Sequence, residues 1–222
     1  MIVAIDGPAG SGKSTVAKML AERLGFHYLD TGAMYRAVAL TALRRGIDPD
    51  NEQGVSTIAR EAYIEFVHES GSAVPTRILF DGEDVSSAIR APEVDDAVSS
   101  VARLPRVREI MVVRQRAQTS LGDLVAEGRD IGTVVVPDAE VKVYLTASPE
   151  ERGRRRHAEL YERGVHVARE EVQGAMAQRD NADSTRKAAP LSAASDARVV
   201  DTTDMSTEQV VEAIAAMVEG RP

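Results

Sequence analysis

The chain has 222 residues, 43% hydrophobic and 28% charged, with 35 acidic against 27 basic side chains and a formal net charge of −8. That composition excludes a disordered chain and fits one globular domain with a continuous core. The acidic balance argues against general affinity for nucleic acid or anionic membrane. Zero cysteines remove disulfides, thiolate metal sites and cysteine nucleophiles, so a reducing cytoplasm is the expected compartment. Apolar runs such as Val134-Val135-Val136 fall far short of the roughly 20 residues a bilayer requires, and Met1–Asp6 lacks the basic start of a signal peptide.

Ile2–Ile5 is an apolar run suited to a buried strand, and Gly7-Pro8-Ala9-Gly10-Ser11-Gly12 is too glycine-rich to continue it. Val16, Met19, Leu20 and Leu24 then recur at helical spacing, with Gly25 as a stop. The plan repeats: His27-Tyr28-Leu29 is a short strand, Asp30-Thr31-Gly32 a turn, and Tyr35, Val38, Ala42 and Leu43 line a helix that Gly46 ends. Tyr63–Val67 and Arg77–Phe80 read as strands, and Asp81-Gly82 is a strong two-residue hairpin signal, so a small antiparallel sheet is inserted at about 60–92.

A long helix follows Pro105 with Val107, Ile110, Met111 and Ala117 on its buried face; Leu124-Val125-Ala126 and Val141–Leu145 are further core strands. Ser148-Pro149-Glu150-Glu151 starts a helix with a serine cap and a proline at its first position. Ala182–Ser195, rich in Ala, Ser and Asp, reads as loop; Arg198-Val199-Val200 is a last strand, and Ser206-Thr207-Glu208-Gln209 caps a last helix. Alternating strands and helices predict an α/β domain: a mainly parallel sheet with helices on both faces.

Gly7, Pro8, Ala9, Gly10, Ser11, Gly12, Lys13 and Ser14, followed by Thr15, match G-x-x-x-x-G-K-[ST] completely and lie between a strand and a helix. Glycines let successive backbone N–H groups converge on phosphate oxygens, and the helix N-terminus adds positive potential. Lys13 can reach the β- and γ-phosphates, and Ser14 is the expected Mg²⁺ ligand. GTPases, motor ATPases and small-molecule kinases share this loop. A nucleotide switch is disfavoured by the lack of an N-K-x-D-like guanine-reading run, and the second turn through Arg36 places cationic groups at the same end of the sheet.

Gly7–Thr15, Leu29–Arg36, Pro105-Arg106-Val107-Arg108, Gly128-Arg129-Asp130-Ile131-Gly132-Thr133 and Arg179-Asp180…Asp183…Arg186 occur in that order. Over nearly the whole chain this resembles bacterial cytidylate kinase; the glycine-rich loop is nonspecific, the G-R-D-x-G-T run much less so. The resemblance implies a P-loop nucleoside monophosphate kinase-like fold with the insert on the acceptor side and a helical lid at about 149–168. It implies phosphoryl transfer from ATP, with Mg²⁺, to CMP or dCMP in a cytoplasmic monomer; another P-loop small-molecule kinase is the alternative. Ser99, Arg108 and Asp130 match residues that read cytosine; Arg36, Arg129 and Arg186 match those holding the acceptor phosphate, and Arg179 and Asp183 those near the ribose. Thr31 and Tyr35 in the second turn complete the substrate set. Arg152, Arg155 and Arg156 fall on the lid and, with Lys13 and Arg129, form the catalytic set.

Chemistry supports these roles. A carboxylate can accept from the exocyclic amine of cytosine, whereas uracil would present it a carbonyl with no hydrogen between them. A phosphate nucleophile, with a second pKa of about 6, needs no general base at neutral pH. Catalysis then lies in alignment and charge neutralisation. A solvated surface stripe paired with Glu150, Glu151 or Glu159 is the competing reading of Arg152, Arg155 and Arg156, which share one helix face.

Overall fold

The computed structural model describes residues 1–220 other than 121 and 187. The first half of the chain runs β1 (Ile2–Asp6), α1 (Lys13–Leu24), β2 (His27–Asp30), α2 (Thr31–Arg44), α3 (Glu52–Glu61), β3 (Ile64–Val67), β4 (Arg77–Phe80) and β5 (Glu83–Asp84). A 3₁₀ turn (Ala88–Arg90), α4 (Pro92–Arg103), α5 (Pro105–Thr119), β6 (Leu124–Gly128) and a π turn (Ile131–Val135) follow. The chain ends with β7 (Val141–Thr146), α6 (Pro149–Glu162), α7 (Arg169–Thr185), β8 (Arg198–Asp201) and α8 (Thr207–Glu219).

The main sheet has the order β2-β6-β1-β7-β8, and every neighbouring pair is parallel. Side-chain alternation divides the core between its two faces. Val3 and Ile5 pack with Val16, Leu20, Val210 and Ile214 from α1 and α8, whereas Ala4 faces Met34, Val38 and Met111 from α2 and α5. Burial on both sides is why β1 reads as a continuous apolar run.

The smaller sheet is antiparallel, in the order β3-β4-β5. Asp81 and Gly82 take φ of 51° and 85°, the left-handed pair that a two-residue hairpin needs. Its apolar residues Ile64, Ile78 and Phe80, with Ile89 of the 3₁₀ turn that follows, join the core on the α2 face rather than forming one of their own.

Local signals set the helix ends. Ser148 accepts from the Glu151 N–H at 3.2 Å with Pro149 opening α6, and Ser206 with Gln209 forms a reciprocal capping box on α8. Three helices, α3, α4 and α7, had no counterpart in the sequence reading. Two expectations are corrected. The loop read over Ala182–Ser195 begins later, because α7 continues to Thr185; residue 187 of that stretch lies outside the described residues. Asp183 makes the extension worthwhile, since it is buried among arginines. Ala117 is exposed; α5 instead buries Val107, Arg108, Met111 and Gln115, two of them polar and thus invisible to an apolar count.

Candidate active site

The carboxyl ends of β1, β2 and β6 bring three turns together, as parallel strands do at the ligand end of an α/β sheet. The first is the loop from Gly7 to Gly12, in which Gly7, Gly10 and Gly12 have φ of 147°, 72° and 89°. A Cβ on Gly7 would lie 2.0 Å from the Leu145 carbonyl oxygen, and one on Gly10 would lie 2.9 Å from that of Arg152. Only glycine allows the loop to turn this tightly against its neighbours. The Ser11 hydroxyl and the Lys13 ammonium both donate to the Pro8 carbonyl, at 3.0 and 2.6 Å. Lys13 is buried, whereas Ser14 and Thr15 are exposed at the start of α1. The Ser14 hydroxyl lies near the Glu127 carboxylate.

The second turn opens α2. Asp30 caps it, accepting from the Ala33 N–H at 2.8 Å, and pairs with Arg90 at 2.7 Å. Burial works to raise the Asp30 pKa, but the Arg90 guanidinium and these hydrogen bonds hold it below the usual carboxylate range. The buried Thr31 hydroxyl donates to the Glu127 carbonyl at 2.7 Å. It also fills the space beside Gly128, where a Cβ would come within 2.6 Å of it.

The third turn, Gly128–Gly132, carries Arg129 and Asp130. These neighbours do not pair with each other. Asp130 forms a buried ion pair with Arg108, while Arg129 donates to Asp183 and to the Gly7 carbonyl, each at 3.0 Å. Arg108 also donates to the Ala102 carbonyl at 3.0 Å and lies over the Tyr35 ring. The Tyr35 hydroxyl, near Gln115, is pushed up to about 12 by burial. Arg186 approaches Asp130 at 3.9 Å and Asp183 at 3.4 Å.

The cations crowd one another. Lys13 is driven down to about 7, first by burial and then by Arg129. Arg179 is driven down to about 10 by burial, then by Arg129 and Arg36. Arg129 thus raises the potential at both the loop lysine and the α7 arginine. The Nε of Arg108 and the Nε of Arg179 are buried without a hydrogen-bond partner among the described residues. Surplus positive charge with unused donors is an anion site in physical terms.

α6 divides its arginines. Arg152 donates to the Ala9 carbonyl at 3.1 Å and pairs with Asp180. Arg155 donates to Thr202 Oγ1 and to the Thr202 carbonyl, at 2.9 and 2.7 Å, and shares Glu151 with the exposed Arg154. Arg156 reaches across to Asp95 on α4 at 2.7 Å, and Arg36 pairs with that same carboxylate. Burial works to raise the Asp95 pKa, but Arg36 and Arg156 hold it low. Of the surface pairings considered for this helix, those with Glu151 and Glu159 occur.

An open cleft of ≈ 710 Å³ is lined by Gly12, Lys13, Ser14, Arg90, Arg156 and Arg163, among others. It lies between the glycine-rich loop and α6. Arg108, Asp130, Arg186, Asp183 and Arg129 are joined by the contacts above. Arg36 shares Asp95 with Arg156 in a separate group, and Ser99, half-buried on α4, stays outside both. Sequence reasoning missed Asp6, Arg90, Asp95 and Glu127. Glu127 directly precedes the Gly-Arg-Asp run and could have been noticed there. Asp95 carried no local signal, because its partners lie 59 and 61 positions away.

The family model described as Cytidylate kinase matches residues 3–220. The chain is 52% identical over 216 residues to a protein named cytidylate kinase from Pelotomaculum thermopropionicum, covering 97% of this chain and 95% of that one. It is 46% identical over 221 residues to another so named from Geobacter sulfurreducens, covering 100% and 94%. Among solved structures, an uncharacterized protein from Eubacterium ventriosum superposes with a TM-score of 0.54 at 14% identity, covering 100% of this chain and 99% of that one. That last likeness concerns the fold alone.

Proposed function

The chain belongs to the cytidylate kinase family, and from that membership we propose that it transfers the γ-phosphoryl group of ATP to CMP or dCMP, yielding ADP and CDP or dCDP. The observation that carries the reading is Arg129. It bridges the glycine-rich loop and α7, donating to the Gly7 carbonyl and to Asp183 at 3.0 Å each, and with burial it helps hold Lys13 and Arg179 below their usual pKa values. A second anion brought there would lie beside the first, where the phosphoryl group must cross.

The glycine-rich loop and Lys13 hold the donor phosphates, and binding them relieves the repulsion that Lys13 experiences. Gly7 and Gly10 leave room where any Cβ would collide, which suits close backbone approach to phosphate. Ser14, exposed on the cleft beside Glu127, fits a hard divalent cation and would hold Mg²⁺. When bound, that ion supplies charge neutralisation to the β- and γ-phosphates.

On the acceptor side, Arg36, Arg129 and Arg186 hold the CMP phosphate, and Arg179 with Asp183 faces the ribose. Asp130 accepts from the cytosine amine while Arg108 and Ser99 donate to the ring acceptors. Tyr35 packs under Arg108, and Thr31 supports the strand end beneath them. Arg152, Arg155 and Arg156 ride on a lid at about 149–168, which closes over the phosphates and keeps water from them. The insert at about 60–92 belongs to the acceptor side. No side chain removes a proton, because the acceptor oxygen is already ionised. The site's work is alignment and neutralisation.

A coupled assay offering ATP with CMP, dCMP, UMP, AMP and shikimate in turn tests this reading. Fast ADP release with CMP and dCMP alone is the expected result. Equal rates with UMP, or a preference for shikimate, would overturn it.

A further inference from the structure

Asp6, the last residue of β1, has no part in the roles assigned above. Its carboxylate is 4% exposed and accepts two hydrogen bonds, Oδ1 from the Ile131 N–H and Oδ2 from the Gly132 N–H, each 2.8 Å long. Those amides open the π turn immediately after Arg129 and Asp130. One residue along from Asp6, the Gly7 carbonyl accepts from Arg129 itself. The ladder puts Asp6 opposite Gly128, so β1 and β6 deliver the carboxylate to the turn in fixed register.

The cap is closely packed: a Cβ on residue 132 would lie 3.4 Å from Asp6 Oδ2, in van der Waals contact, and 3.2 Å from Lys142 Cδ. Charged groups around Asp6 are Asp130 and Lys13, and burial pushes its own carboxyl up to about 6 despite the two amides. Burying an acid carries a desolvation cost, and here the bonds that offset it are both made to the turn that carries Arg129 and Asp130.

We propose that Asp6 is a positioning residue for acceptor recognition: by capping the Ile131 and Gly132 amides it aims Asp130 at the pyrimidine base and Arg129 at the acceptor phosphate, in register with the glycine-rich loop that begins one residue later. The inference rests on the reading of Asp130 and Arg129 given above. Misplacement by about 1 Å is enough to cost on the order of 10²-fold in a well-aligned reaction, so a two-bond anchor at the root of the turn matters.

Asp6→Asn keeps the size but turns one acceptor into a donor, which then faces a backbone N–H. Steady-state kinetics with ATP and either CMP or UMP are the test, with Asp130→Ala run in parallel. For Asp6→Asn the KM for CMP is expected to rise about tenfold or more and the CMP-to-UMP ratio of kcat/KM to narrow by about as much. The KM for ATP should stay within about threefold, since the loop amides that hold phosphate are untouched.

An unchanged CMP-to-UMP ratio in Asp6→Asn, or a larger rise in KM for ATP than for CMP, overturns the inference. If Asp130→Ala narrows the ratio while Asp6→Asn does not, the base-reading role of Asp130 stands and only the positioning role falls. If Asp130→Ala leaves the ratio intact, both fall together. Should Asp6→Asn not fold, amide hydrogen exchange on the unaltered protein decides. The Ile131 and Gly132 amides should exchange as slowly as those of β1 and slow further with CMP; exchange at the rate of open loops overturns the proposal.

Discussion

Asp130→Ala should cost stability as well as selectivity. Arg108 and Asp130 have side chains only 5% and 8% exposed and form an ion pair, so removing the carboxylate strands a guanidinium in the interior. The Ala102 carbonyl at 3.0 Å, the Tyr35 ring and the more distant charge of Asp183 remain to it, with Arg186 adding repulsion. Breaking a buried pair from one side costs about 3–5 kcal/mol. For a chain of this size that lowers Tm by roughly 6–20 °C. Thermal melts of the ligand-free protein measure the effect. The double variant Arg108→Met with Asp130→Leu should recover much of the loss, because both charges are then gone. A single variant melting within about 2 °C of the parent would show that Arg108 finds other compensation, and the reasoning from burial would fail.

Lys13→Ala should lower kcat by about 10²–10³ with little loss of Tm, because the buried ammonium is already disfavoured by its surroundings; full turnover would remove Lys13 from the catalytic set. Gly7→Ala should abolish binding of a fluorescent ATP analogue, since its Cβ would lie 2.0 Å from a backbone oxygen that has nowhere to go. Asp95 is held below its ordinary 3.8 in the folded chain, so its contribution is present above that value and disappears as pH falls through the folded pKa. The Tm difference between parent and Asp95→Asn should therefore be clear at neutral pH and shrink below about pH 4. A difference that grows on acidification would contradict the ion pairs with Arg36 and Arg156.

Much of this protein is written in short stretches of its sequence. Glycine-rich turns, serine caps and runs of β-branched residues act locally, over spans of a few residues, so β1, the loop to Ser14, the Asp81-Gly82 hairpin and the caps of α6 and α8 could be read directly. Helices α3 and α4 do carry a local signal, since α4 buries Val94, Ala97, Val98 and Val101 at helical spacing and α3 buries Val55, Ile58 and Ala59. Helix α7 was harder, because its buried set of Val172, Met176 and Asp183 includes an acid whose partners lie far along the chain. Asp183 on α7 shows why. It is an unremarkable acid in sequence, and only the fold puts Arg129 against it from 54 positions away.

The same division holds at the site. The loop lysine follows from residue types and spacing alone, whereas the Gly-Arg-Asp turn, Arg179 and Arg186 were singled out through the family resemblance of their motifs. Which arginine meets which acid came from the tertiary arrangement: Arg129 with Asp183 rather than Asp130, and Arg156 with Asp95 rather than the loop. Asp6 is the sharpest instance. As a strand-end carboxylate it says nothing by itself; parallel pairing of β1 with β6 is what sets it under two amides 125 and 126 residues away. Local backbone preferences are written in neighbouring residues, but the partner of a buried charge depends on how distant segments pack.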